Sequence, residues 1–172
     1  MNGVAVLQSA FAGAHNWYLG TVGDVDSEQA NRVPEGTCHP IGALMAHIVG
    51  AEDFMFNVAI QSQATLWERG GWPEQIGGEM LLSPEEAVAR AYRCDPQKLA
   101  EYATAVFANS DAVLAGLTDE DLDRELDLVR FGFPQNMTMG NFLGQMLLGN
   151  TYAHTGEISA LKGLMSMKGY PF

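Results

Sequence analysis

Four stretches of this chain repeat apolar residues at intervals of three and four, and that period limits the fold more than any other feature. Val4, Leu7, Phe11, Ala14 and Tyr18 mark the first stretch. Leu44, His47, Ile48, Ala51, Phe54, Met55 and Val58 mark the second, and a third runs from Pro96 to Leu117. The fourth runs from Met139 to Met167 along Phe142, Leu143, Met146 and Leu147, then Asn150 and His154, then Ile158, Leu161 and Met165. A period of about 3.6 puts each set on one side of an α-helix. Such a stripe must be buried against another element, and four of them predict an all-α bundle, in which sites are built between facing helices.

The boundaries carry their own chemistry. Pro40 suits the first turn of the second helix, which is expected to end around Gln61 to Gln63. SPEEAVARAYR opens with a Ser cap, then Pro and Glu in the first turn, and predicts a short lead-in helix. Asp95, before Pro96, is held out of helical geometry and caps the third long helix. TDEDLDREL is a further capped acidic turn, and Thr138 caps the fourth helix. Between these lie GTVGDVDSEQANRVPEGTCH, a loop with functional potential, and the Gly-rich segment from Trp67 to Leu82. DLVRFGFPQNMTM reads as extended or looped, with Phe131 and Phe133 either side of Gly132. No repeat or linker divides the chain, so residues 1–172 are expected to form one domain.

Composition narrows the function classes. A formal charge of −12, with nine Lys and Arg in 172 residues, disfavours nucleic-acid phosphates and anionic lipid as partners. Cys38 and Cys94 stand in no CxxC or Cys/His spacing and predict reduced, partly buried thiols. MNGVAVLQSAFAGA lacks the positive segment of a secretory signal, and no run reaches about 18 uninterrupted apolar residues, so a cytoplasmic location and no membrane are expected. There is no Gly-rich phosphate loop, no G-x-S-x-G elbow and no E-x-x-H pair of a di-iron bundle.

The polar interruption of the fourth stripe is where chemistry concentrates. Asn150 and His154 are four residues apart, so on a helix their Cβ atoms lie about 5–6 Å apart on one face. His47 sits on the inner stripe of the second helix. A buried imidazole without a partner costs about 1–3 kcal/mol, so each of these histidines requires a hydrogen bond or a cation.

HPIGALMAHIVGAEDFMFN resembles the second helix of the DinB/YfiT-like superfamily, and MGNFLGQMLLGNTYAHTGEISALKGLM resembles its fourth, which carries H-x-x-x-H-x-G-[EQ]-I. SPEEAVARA and GLTDEDLD are similar to that family in the same order. The resemblance implies a four-helix bundle of up-down-down-up type with a short extra helix and Gly-rich loops, paired as a homodimer. It also implies a divalent metal (zinc, nickel or manganese) held by three His, at positions occupied here by His47, Asn150 and His154. A small-molecule substrate and a low-molecular-weight thiol are the implied partners, in thiol transfer, thiol-dependent isomerisation or hydrolysis.

Asn150 departs from the family pattern, and an amide oxygen is a poorer ligand than imidazole for zinc or nickel. Two readings therefore stand: a metal-dependent small-molecule enzyme whose shell is completed by Glu157, Glu52 or water, and a catalytically silent ligand-binding or dimeric module in which Asn150 hydrogen-bonds the imidazoles. His15 is expected to pack or to edge the pocket, and His39 to lie at a helix-end surface. Glu157 reads as part of a solvated face, Glu52 as inward-facing, and Trp17, Trp67 and Trp72 as sealing a core or contact more than lining a cleft.

Overall fold

The computed structural model describes residues 2–82 and 85–172. In chain order the helices are α1 (Gly3–Val22), α2 (Ser27–Asn31), α3 (Ile41–Asp53), α4 (Leu66–Arg69), α5 (Trp72–Ile76), α6 (Glu86–Ala91), α7 (Pro96–Ala115), α8 (Asp119–Leu122), α9 (Met139–Asn141) and α10 (Leu148–Leu164). Two-residue strands β1 (Glu125–Leu126) and β2 (Met137–Thr138) pair antiparallel, Glu125 opposite Thr138. The chain is all-α, as its period requires. α3 continues into a π-helical segment, Phe54–Ile60, and α9 reaches α10 through another, Phe142–Leu147.

The starts follow the capping chemistry. Asn2 accepts from the Ala5 N–H at 2.9 Å, Asp95 from those of Gln97 and Lys98, and Thr138 from that of Asn141. Each satisfies amides that have no partner inside their own helix. Ser83 and Pro84, the expected cap and first residue of the lead-in helix, lie outside the described residues; α6 starts at Glu86, with Glu85 in the cap position and no side-chain cap bond. The segments read as loops are more ordered than their composition suggests. Residues 20–39 hold α2, closed by a reciprocal Asp26–Gln29 capping box, and the Gly-rich stretch holds α4 and α5.

α1 packs on α7 and α10, and α3 packs on the same two helices, so α1 and α3 occupy opposite corners of the bundle. Two apolar clusters fill it. One gathers Tyr18, Leu44, Ile48, Leu99, Val106 and Ile158; the other gathers Phe11, Phe56, Leu114, Phe142, Leu143 and Leu147. Between them each helix contributes a buried polar side chain: His15 from α1, Glu52 from α3, Ser110 from α7 and Thr151 from α10. Ser110 and Thr151 satisfy themselves on the carbonyls of Val106 and Leu147, one turn back. His15 and Glu52 reach across the bundle, with Nε2 and Oε1 2.8 Å apart, and the His15 ring lies flat against Phe107 at 4.0 Å.

α3 is buried nearly all round, which explains its composition. With its π extension, Ile41–Ile60 is long and apolar enough to cross a membrane, yet 72% of that window is buried inside the protein, as befits a central core helix. Glu52 and Asp53 are both 0% exposed on it. Asp53 has four donors: Tyr102 Oη at 2.5 Å, Asn57 Nδ2 at 2.7 Å, and the backbone amides of Leu66 and Trp67 at 2.8 and 2.9 Å. A carboxylate so surrounded needs no cation to be tolerated inside. The same bonds dock α4 onto α3, and Trp67 and Trp72 pack against Tyr102.

Candidate metal and ligand site

His47 and Asn150 face each other from α3 and α10, neighbours in the bundle. His47 Nε2 lies 3.1 Å from Asn150 Oδ1, and the His47 and His154 rings meet edge to face at 4.9 Å between centroids. The three residues singled out from sequence are therefore brought together across about a hundred positions of chain. All three are only partly buried, although buried Leu147 and Ile158 flank the pair on the fourth stripe.

Second partners fix the direction of each imidazole. His47 Nδ1 lies 3.2 Å from the Leu81 carbonyl oxygen. A carbonyl only accepts, so Nδ1 carries the proton and donates it. Leu81 reaches that position because the chain around Met80 crosses α3 at Gly50, where an added Cβ would lie 2.9 Å from Met80 Cγ and 3.5 Å from the Leu81 oxygen. On the other ring, His154 Nδ1 donates to Glu157 Oε2 at 2.9 Å. Glu157 is exposed, as its position on the polar face suggests, and still orients His154. Glu52 is excluded from this cluster; its partner is His15, which is buried rather than at a pocket edge.

Burial lowers the His47 pKa, and the neighbouring His154 lowers it further, against smaller opposing effects from Leu81 and Asn150. His47 is then a neutral ring near pH 7, protonated at Nδ1 and bearing a lone pair at Nε2. That lone pair faces the Asn150 oxygen, also an acceptor, while Asn150 Nδ2 is buried without a partner. Two acceptors 3.1 Å apart are stable only with something positive between them. A divalent cation meets that demand. So does the amide turned over, so that its NH₂ donates to Nε2, since oxygen and nitrogen of an Asn are assigned from such contacts rather than distinguished by shape.

The donor set fits a cation in kind. Two imidazoles whose Nδ1–H groups are held by a carbonyl and a carboxylate present Nε2 outward, the usual outer-shell arrangement of metal-binding His. Among the described residues no group of three His, Cys, Asp or Glu is assembled to hold a metal.

A pocket of about 420 Å³ opens beside His47 and Asn150. The first π segment supplies Phe54 and Met55 to its wall, and the second supplies Phe142, Met146 and Leu147. Phe131 and Phe133 close it from the loop between the strands. Gly132 has φ of 89°, which turns the chain so that both phenyl rings serve the pocket; a Cβ there would meet no atom, so only the backbone requires glycine. The rings pair edge to face, Phe54 with Phe131 at 5.2 Å and Phe133 with Phe142 at 5.7 Å. Met146, expected inside the stripe, is 44% exposed at this wall. The sequence reading missed these walls, although Phe131-Gly132-Phe133 was visible as an aromatic pair around a turn. None of the three Trp lines the pocket: Trp17 instead packs with Tyr152, Tyr170 and Phe172.

The fold and the ordered sequence motifs agree with comparisons to known proteins. The sequence profile of the DinB superfamily matches residues 10–158. A crystal structure of a conserved protein from Enterococcus faecalis superposes with a TM-score of 0.78 at 19% identity, covering 95% of this chain and 97% of that one. No functionally curated protein matches the sequence. The chain belongs to the DinB superfamily.

Proposed function

We propose that His47, Asn150 and His154 hold a divalent cation at the edge of the aromatic pocket, and that the protein, as a homodimer, carries out thiol transfer or hydrolysis on a small molecule bound there. The observation that carries this reading is the meeting of acceptors: a His47 lone pair, set by the Leu81 carbonyl, faces the Asn150 oxygen at 3.1 Å with the His154 ring alongside. A bound divalent cation would supply Lewis acidity and lower the pKa of a coordinated water or thiol. The chain's own contribution is orientation. Leu81 and Glu157 fix the two rings, and apolar walls line the pocket on one side of the cluster.

A second reading is favoured by the buried, unpartnered Asn150 Nδ2. With the amide turned, Asn150 donates to His47 and the pocket binds a ligand without metal.

Calorimetric titration with zinc, nickel and manganese, with elemental analysis, separates the two. One ion per chain is expected, lost in His47→Ala and His154→Ala and bound more tightly in Asn150→His; light scattering of the same samples reports the pairing. Sub-stoichiometric metal that is insensitive to both alanine substitutions would sink the metal reading.

A further inference from the structure

We infer that the pocket selects a neutral aromatic molecule carrying one polar headgroup, and rejects anionic ligands, including thiols that bear carboxylates. This deepens the proposed function and rests on the pocket being the ligand site, though not on the metal. Among the described residues, the lining contains no Lys, Arg, Asp or Glu; its only side chains with strong hydrogen-bonding groups are His47 and Asn150, both at one end. The remainder is four phenyl rings, two Met and smaller apolar groups. Edge-to-face pairs at 5.2 and 5.7 Å form two walls whose geometry suits a third ring, and thioethers add favourable contacts to aromatic edges.

Charge decides the rest. A ligand carboxylate in this cavity would give up its hydration with no Lys or Arg side chain in the described lining to receive it. The chain's net charge of −12 opposes the approach of anions as well. The guanidinium of Arg130 lies 4.4 Å from the Phe131 ring centroid but is exposed and outside the lining. The polar end accepts one headgroup such as a thiol, hydroxyl or carbonyl. The size falls within the range of small-molecule sites.

A matched pair of fluorescent probes tests this: N-phenyl-naphthylamine, which is neutral, and anilinonaphthalene sulfonate, its anionic counterpart, titrated with and without chelator. With chelator present, the neutral probe is expected to bind one per chain, at least tenfold more tightly than the anion; without it, a cation on His47, Asn150 and His154 can only narrow that ratio. Met146 is the site for variants, because it lines the pocket at 44% exposure and a polar head there retains access to water. Met146→Glu should weaken the neutral probe, and Met146→Lys should shrink the preference at least tenfold, with helical circular dichroism unchanged in both. The inference is overturned if the anion binds as tightly as the neutral probe, if Arg130→Ala is what abolishes anion binding, or if neither Met146 variant changes the ratio. Failure of metal binding with the preference intact removes the metal reading alone.

Discussion

Replacing Asp53 by Ala should cost this protein more stability than nearly any other polar substitution. The carboxylate is 0% exposed and accepts from Tyr102, Asn57 and the amides of Leu66 and Trp67, with no Lys, Arg or His paired to it among the described residues. Truncation strands buried donors from three parts of the chain. At about 1–3 kcal/mol for each donor left unsatisfied, and allowing for relaxation and for Asn57 turning to its second acceptor, the Asp53 carbonyl, the expected loss is about 4 kcal/mol or more. Tyr102→Phe removes one of the four bonds, a bond to a charged group, and should cost about 2 kcal/mol. Because the two groups share a bond, the double variant should be less destabilised than the sum by about 1 kcal/mol or more. Urea denaturation followed by circular dichroism measures all three, and in a domain of this size a loss of about 4 kcal/mol lowers Tm by roughly 8–16 °C. Asp53 also stands at the junction where α3 passes into the π segment carrying Phe54 and Met55, so the neutral probe should bind more weakly to Asp53→Ala while it is still folded. A loss below about 1.5 kcal/mol, or equal losses for Asp53→Ala and Tyr102→Phe, would refute the view that one carboxylate organises four donors.

Two further expectations follow from the buried polar groups. Glu52→Leu leaves His15 without its 2.8 Å partner inside the bundle and should destabilise by about 3 kcal/mol, while adding His15→Leu should recover part of that loss; a double variant less stable than Glu52→Leu would contradict the pairing. At alkaline pH, burial first and nearby acidic groups second raise the pKa values of Tyr18, Tyr92 and Tyr102, and burial then Asp95 push the Cys94 thiol up to about 12. The folded chain holds these protons where the unfolded chain, with ordinary values of 9.0 for the thiol and 10.0 for the phenols, releases them. Their stabilisation is complete below pH 9 and is lost as pH rises toward the folded values, at about 1.4 kcal/mol per pH unit for each group titrating. Tyrosinate absorbance should therefore report only part of the five Tyr until circular dichroism is lost; free ionisation of all five near pH 10 in the folded protein would contradict it.

The residues that sequence reading handled well are those whose signal is local. Asp95 and Thr138 cap their helices through bonds two or three residues long. Asn150 and His154 share a face because four residues nearly complete a turn, and His47 lies on the stripe that turns toward them. The polar residues of α3 were the opposite case. Glu52 reads as inward-facing because apolar residues share its side, but its partner on α1, and those that reach Asp53 from α4 and α7, are not announced within α3. The π segments were also invisible, since one extra residue per turn leaves an apolar period of three and four unchanged while moving Phe54, Phe142 and Met146 to the pocket wall. Glu157, exposed and still bonded to His154, shows how a surface position and a site position can coincide.

The amino-acid sequence by itself determined an acidic, all-α chain with four long helices and an inward imidazole on each of two, because helix period, capping and charge are properties of neighbouring residues. Only the tertiary structure decided that the Leu81 carbonyl aims His47, that its lone pair meets Asn150, and that the pocket beside them is aromatic and uncharged. Those features depend on which distant groups pack together, and burial turns their partners from incidental to obligatory.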